Sequence, residues 1–305
     1  RRALLRNLFM TGSAAAMTPF LNACGNSLPG SIETGGGAVK AGELSIPPGP
    51  LANVGPLGAP DGDGMSIPEG FSIRAVARTG IPPVVGKLYP WHVFPDGGAT
   101  YPRENGGWIY VSNSEVPGGL GGAGALVFDA DGTLVDTYSI LSGTSTNCAG
   151  GKTPWHSWLS CEEVAAGHVW ETDPYGLLSA VEKPALGSFK HEAAVIDLKH
   201  RIAYLTEDEG SGRFYRWVAD ASDWSEAEQR LKLENGTLQV MNIEGFEDSA
   251  YPETEDVRKL RRVSWKDVQR PAEAQSTVRE ELAAASQIVP GTQFKGGEGR
   301  WVYEL

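Results

Sequence analysis

The sequence predicts an all-β fold of the β-propeller type, and three observations carry that expectation. From Met65 onward, short runs rich in Val, Ile, Tyr and Trp alternate with turns of Gly, Asn and Asp. The 305 residues include 39 glycines and 20 prolines, which favour frequent turns over long helices. The strand-like runs recur as meanders at roughly ten-residue spacing, as propeller blades do. No exact sequence repeat accompanies them, so the number of blades is not legible directly.

Taken in order, Arg1-Arg2 ahead of the apolar, small-residue stretch Ala3 to Ala23 reads as a twin-arginine export signal over residues 1–24. That stretch is too short and too interrupted for a membrane span. Leu21-Asn22-Ala23-Cys24 resembles a lipobox, so a lipid anchor at Cys24 and simple cleavage both stay open. Residues 25–64, rich in Gly, Pro, Ala and Ser, read as a flexible linker or lead-in. The propeller domain is expected over 65–305, with strands near Phe71–Ala77, Trp108–Ser112, Ala125–Asp129 and Thr133–Ile140. Asp129-Ala130-Asp131-Gly132-Thr133 reads as a tight hairpin turn. A three-strand unit is expected from Glu192 to Trp217. Trp224–Leu233 looks briefly helical. The charged, alanine-rich stretch 254–287, with Val278, Leu282 and Ala285 at helical spacing, reads as a helical insertion with a solvated charged face. The chain has no initiator Met and ends on Trp301-Val302-Tyr303-Glu304-Leu305, which reads as a strand in progress, so a piece of a longer propeller is expected.

The net charge of −12 and pI near 4.9 argue against nucleic acid as a partner. They fit an exported acidic protein, periplasmic, extracellular or anchored as a lipoprotein, whose carboxylates are partly offset by cations.

Five acidic motifs mark where those carboxylates gather. They are Ser112-Asn113-Ser114-Glu115, Cys161-Glu162-Glu163, His191-Glu192-Ala193, Thr206-Glu207-Asp208 and Gly297-Glu298-Gly299. Four of them follow or open β-type runs. A multi-sheet fold brings strand ends together, and converged carboxylates repel unless a cation neutralises them. Oxygen ligands suit hard ions such as Ca²⁺, and a thiolate among them favours a transition metal. Cys148 and Cys161 leave a second reading open, a disulfide in an oxidising compartment.

The block from Asn147-Cys148-Ala149-Gly150-Gly151-Lys152 to Ser160-Cys161-Glu162-Glu163 carries the most specific signal. It is followed by Phe189-Lys190-His191-Glu192-Ala193 and Tyr204-Leu205-Thr206-Glu207-Asp208. Over about Ser112 to Trp301 this order resembles the PhoX-type alkaline phosphatases. The resemblance implies a six-bladed propeller with Fe³⁺ and Ca²⁺ in its central channel, acting on phosphate monoesters. It places Cys148 on an iron-ligating cysteine and Glu162, Glu163, Glu192 and Glu298 on metal-ligating glutamates. Glu115, Glu207 and Asp208 fall on acidic positions near the cluster. His191 falls on a hydrogen-bond partner of a ligand, and Asn147 on a residue that orients the cysteine or touches substrate.

The departures are specific. Asn113-Ser114-Glu115 stands where the family carries Asn-His-Glu, and Gly296 stands where its Arg-Pro-Glu-Gly motif has arginine. A guanidinium fork is hard to replace in phosphate recognition; Lys295 or Arg300 is the neighbouring cation to compensate, and Lys295 is taken, with Asn147, as a candidate substrate-binding residue. The expected function is a metal-dependent phosphoric ester hydrolase taking a small phosphorylated substrate and exported by the twin-arginine machinery. Two alternatives stand beside it: a non-catalytic, calcium-stabilised binding propeller, and a phosphodiesterase or phytase-like hydrolase.

Overall fold

The computed structural model describes residues 31–34, 37–40, 53–252, 254 and 260–302. The export signal expected over residues 1–24, with Cys24, lies outside them. The chain divides into two units, 1–73 with 256–260, and 74–255 with 261–305. In the first, β1 (Ser31–Thr34) pairs antiparallel with β2 (Gly37–Lys40), and Leu57 bridges Pro68.

The second unit is built of three consecutive antiparallel sheets. Strands β3 (Pro95–Pro102), β4 (Trp108–Ser114), β5 (Gly121–Phe128) and β6 (Leu134–Thr144) lie in that order. Strands β7 (Asn147–Lys152), β8 (Trp158–Glu162), β9 (Val169–Thr172) and β10 (Val181–Glu182) repeat the meander. The third sheet orders β11 (His191–Asp197), β12 (Ile202–Glu207), β13 (Phe214–Ala219), β16 (Gly236–Ile243) and β17 (Val263–Asp267). Each is the up-and-down unit of a propeller blade, and the fold is all-β and propeller-like, without closure among the described residues.

The sheets stack through shared apolar cores. Tyr101, Ile109, Val111 and Ala123 of the first meet Trp158 of the second, and Leu159, Cys161 and Val169 of the second meet Ala194, Leu205, Tyr215 and Trp217 of the third. Their first strands approach closely. A Cβ added at Gly97 would lie 2.6 Å from the Ala149 Cα, and one at Gly151 would lie 1.7 Å from the Ala194 carbonyl oxygen. Glycine at these two positions is what lets β3, β7 and β11 run side by side.

Three expectations change. Phe71–Ala77 joins no sheet among the described residues, and its large apolar side chains Phe71, Ile73 and Val76 are exposed. Trp224–Leu233 is a hairpin of β14 (Trp224–Ser225) and β15 (Arg230–Leu231), not a helical turn. The fully buried Asp223 carboxylate decides this by accepting the amides of Lys232, Leu233, Glu234 and Asn235 at 2.8–3.0 Å. Within 254–287, Val263–Asp267 is the fifth strand of the third sheet, and the helix α1 covers Gln275–Ala284. That helix buries Gln275, Val278, Arg279 and Leu282, one face at helical spacing, so its charges are not uniformly solvated.

Candidate metal centre

The first strand of each sheet breaks its ladder at the same place. Pairing shifts between Pro95 and Gly98 in β3, between Asn147 and Gly150 in β7, and between His191 and Ala194 in β11. A bulge re-aims the unpaired side chain. The residues so released are Asp96, Cys148 and Glu192. Opposite them, the last paired residues of the second strands are Ser114, Glu162 and Glu207. The residue after each is acidic: Glu115, Glu163 and Asp208. One backbone bond fixes each pair. The amides of Glu115, Glu163 and Asp208 donate to the carbonyls of Phe94, Thr146 and Lys190 at 2.9, 2.9 and 3.2 Å. The acceptor in every case lies two residues before the bulged ligand candidate.

A fourth unit begins the same way. The segment through Glu298 straps onto the third sheet by Phe294 N to Gly212 O (2.9 Å), Gly296 N to Glu209 O (3.1 Å) and Gly297 N to Glu207 O (3.0 Å). The Thr206 hydroxyl donates to the Glu298 carbonyl at 2.9 Å. Gly296 precedes Glu298 as Thr146 precedes Cys148, and the Gly296 bond matches that of Thr146 N to Val116 O. Phe94, Thr146 and Gly296 all have left-handed φ, at 47°, 49° and 76°.

These positions converge. Donor atoms of Asp96, Glu115 and Cys148 lie within 4.8 Å of one another, as do those of Cys148, Glu163 and Glu192. Asp208 and Glu298 add their charge at Glu192. Burial, reinforced by Glu298, Glu163 and Asp208 against a Cys148 hydrogen bond, pushes Glu192 up to about 8. Burial first, then the Glu192 carboxylate, pushes the Cys148 thiol far up. Glu163 is raised by burial and by Asp208 and Glu115, and Glu115 by burial and Asp96. Glu192 Oε2 is buried and has no hydrogen-bond partner. A buried, unpaired carboxylate oxygen ringed by other acids and a thiol is what a cation site looks like before the cation's charge is counted. The donor set therefore fits hard cations at the carboxylates and a softer transition ion at the sulfur.

The strand pleat divides the adjacent acids, and here the structure departs from expectation. Successive side chains point to opposite faces. Glu163 and Asp208 face the cluster, so Glu162 and Glu207 turn away. Glu162 accepts from Ser145 N (2.8 Å), His168 N (3.3 Å) and Trp170 Nε1 (3.0 Å). Glu207 is clamped by Arg279 of α1, with Nη2 to Oε1 at 2.8 Å and Nη1 to Oε2 at 3.1 Å. Its Oε2 also accepts from Arg213 N and the Tyr215 hydroxyl. The same alternation turns Asn147 and His191 away. Asn147 is fully buried, its amide bonded to Thr144 and Ser160. His191 Nε2 faces the Gly187 carbonyl at 3.1 Å and not a cluster carboxylate, and its ring stacks on Phe189 at 3.7 Å. Cys148 and Cys161 are free thiols, Cys161 sunk in the apolar core.

Asp96 escaped sequence reading because Asp96-Gly97-Gly98 resembles a turn. Asn113 is a second gain. Its Nδ2 donates to the Cys148 and Ala149 carbonyls at 2.8 and 2.6 Å, while its Oδ1 accepts from Trp158 Nε1 and the Ser160 hydroxyl. It thereby pins the bulge that aims Cys148. Among the cations near Gly296, Lys295 is exposed and Arg300 lies over the Phe214 ring at 4.3 Å. A Cβ at Gly296 would lie 2.7 Å from Asp208 Oδ1 at a φ that L side chains avoid. Gly296→Arg is therefore expected to lower stability by about 1–2 kcal/mol in a denaturant titration. An unchanged midpoint would show that the strap runs elsewhere.

Blade-like sheets whose bulged inner strands gather carboxylates and a thiol define the class, an all-β propeller-like protein with an acidic cluster suited to cations. The sequence profile of the family described as Alkaline phosphatase PhoX matches residues 120–167 and 164–304, and the chain belongs to that family. Among solved structures it is similar to Pseudomonas fluorescens PhoX in complex with vanadate, a transition state analogue, at 19% identity and a TM-score of 0.43. That alignment covers 52% of this chain and 47% of the other, so the chain spans under half the length of that protein. No curated protein matches the chain.

Proposed function

We propose that this chain forms part of a metal-dependent phosphoric ester hydrolase acting on phosphate monoesters. The observation that carries the reading is the convergence of Asp96, Glu115, Cys148, Glu163 and Glu192 from equivalent strand positions, in a member of an alkaline phosphatase family. Cys148 would hold iron, and the surrounding carboxylates, with Asp208 and Glu298, would hold iron and calcium. When bound, such cations supply Lewis-acid stabilisation of charge on phosphoryl oxygens. The chain's own residues set the geometry. Asn113 locks the Cys148 bulge, and burial holds the Glu192 carboxylate in a fixed, poorly hydrated position. The export signal read over residues 1–24 fits this account, because the twin-arginine route carries proteins already folded and loaded, to the periplasm or beyond.

The test is elemental analysis beside a phosphomonoesterase assay on the metal-replete protein. The wild type should contain iron and calcium and hydrolyse a phosphomonoester. Cys148→Ser should lose most of its iron and any thiolate-to-iron absorption while keeping its β-sheet circular dichroism. Full iron occupancy in Cys148→Ser would overturn the ligand assignment. Metal-replete protein with no hydrolase activity would favour the non-catalytic, calcium-stabilised propeller, the reading to which glycine at position 296 points.

A further inference from the structure

Four residues stand two positions before a cluster residue: Phe94 before Asp96, Thr146 before Cys148, Lys190 before Glu192 and Gly296 before Glu298. The first three accept the same backbone bond from Glu115, Glu163 and Asp208. They therefore hold equivalent places on the three sheets, and Lys190 is the cation among them. The Lys190 ammonium pairs with Glu209 Oε2 at 2.8 Å, both side chains about one-third exposed at 34% and 33%. It also lies within electrostatic reach of Glu163 and Asp208. Two residues further on, Glu192 Oε2 is buried without a partner, an independent sign that the cluster is built around something charged.

Resting on the phosphatase reading above, we infer that Lys190 is a substrate-binding residue that contacts the phosphate oxygens, with Glu209 its partner when no phosphate is bound. The chemistry follows from charge and exposure. A lysine–carboxylate pair this open to water is weak, so an incoming anion meets little resistance. A phosphate monoester dianion carries twice the charge of one carboxylate and offers several acceptor oxygens to a rotatable ammonium. Position 296, two residues before Glu298, is glycine and offers no cation. A cation two residues before Glu192 occupies the equivalent place on the preceding unit.

Inorganic phosphate is the probe. Its binding to metal-loaded protein is measured by calorimetry and by competitive inhibition, with metal content read in parallel, for wild type, Lys190→Gln, Lys190→Arg and Glu209→Gln. Lys190→Gln should weaken phosphate by about tenfold or more, the range expected of one charge-assisted hydrogen bond, with metal content unchanged. Lys190→Arg should retain most of the affinity. Glu209→Gln should hold it or tighten it, because the competing carboxylate is gone. A purely structural ion pair would make the two glutamine variants lose alike, and that result overturns the inference. In wild type, saturating phosphate should also shield Lys190 from amine acetylation, read by peptide mass. An unshielded Lys190 overturns the inference even where Lys190→Gln does not fold. Metal-loaded wild type that neither binds phosphate nor hydrolyses esters defeats the parent reading instead.

Discussion

Glu207→Gln is expected to destabilise the protein by about 3–5 kcal/mol while leaving its metal content unchanged. The Glu207 side chain is 1% exposed, and the Arg279 side chain that grips it is 10% exposed. Removing the carboxylate's charge strands that guanidinium in the interior and weakens the acceptor shared by Arg213 N and the Tyr215 hydroxyl. Breaking one side of a buried pair costs far more than the pair contributes, because the remaining charge keeps its desolvation penalty. Glu207→Met combined with Arg279→Met should therefore recover most of the loss, since α1 still buries Val278 and Leu282. The measurements are a chemical denaturation midpoint and iron and calcium per chain. Glu163→Gln supplies the contrast, with metal lost and the fold largely kept. If Glu207→Gln sheds metal as Glu163→Gln does, Glu207 faces the cluster and β12 pairs in a register shifted by one residue.

That contrast shows what the sequence could and could not disclose. Val-, Ile- and Trp-rich runs announced the sheets because period-two burial leaves a mark on composition, as in Ile109 and Val111 of β4. The acidic motifs announced a cluster because carboxylates at strand ends are visible without knowing the register. Which member of Glu162-Glu163 or Glu207-Asp208 faces inward depends on pairing, and a one-residue slip reverses the answer. The repeat stayed hidden for a chemical reason. Asp96, Cys148, Glu192 and Glu298 occupy equivalent positions, yet three residue types fill them at unequal intervals, so likeness of donor chemistry never becomes likeness of letters. Arg279 was obscured differently. A charge on an alanine-rich helix reads as solvated until a buried carboxylate is found opposite it. Phe71–Ala77 misled in the other direction, since its alternation is strand-like but no strand pairs with it among the described residues.

Removing the metal should make stability fall as pH rises, the reverse of the usual behaviour of carboxylates. In the metal-free cluster Glu192 is raised from its ordinary value near 4.5 to about 8. Below pH 4.5 the folded and unfolded states both hold the proton. Between pH 4.5 and 8 the unfolded chain releases it and the folded chain keeps it, so each increment of pH favours unfolding. By pH 9 Glu192 alone should cost the metal-free fold about 3–5 kcal/mol, and the raised Glu163 and Glu115 act in the same direction. A bound cation reverses this, because it favours the ionised carboxylates and the Cys148 thiolate. Melting curves with excess chelator and with added calcium and iron should therefore converge near pH 5 and separate widely by pH 8–9. Glu192→Gln should flatten the chelated curve over the same window, since its amide does not titrate. Superimposable curves across the whole range would mean that no ion relieves the repulsion among Asp96, Glu115, Glu163 and Glu192. The convergence of these side chains would then be an accident of strand ends and not a metal centre.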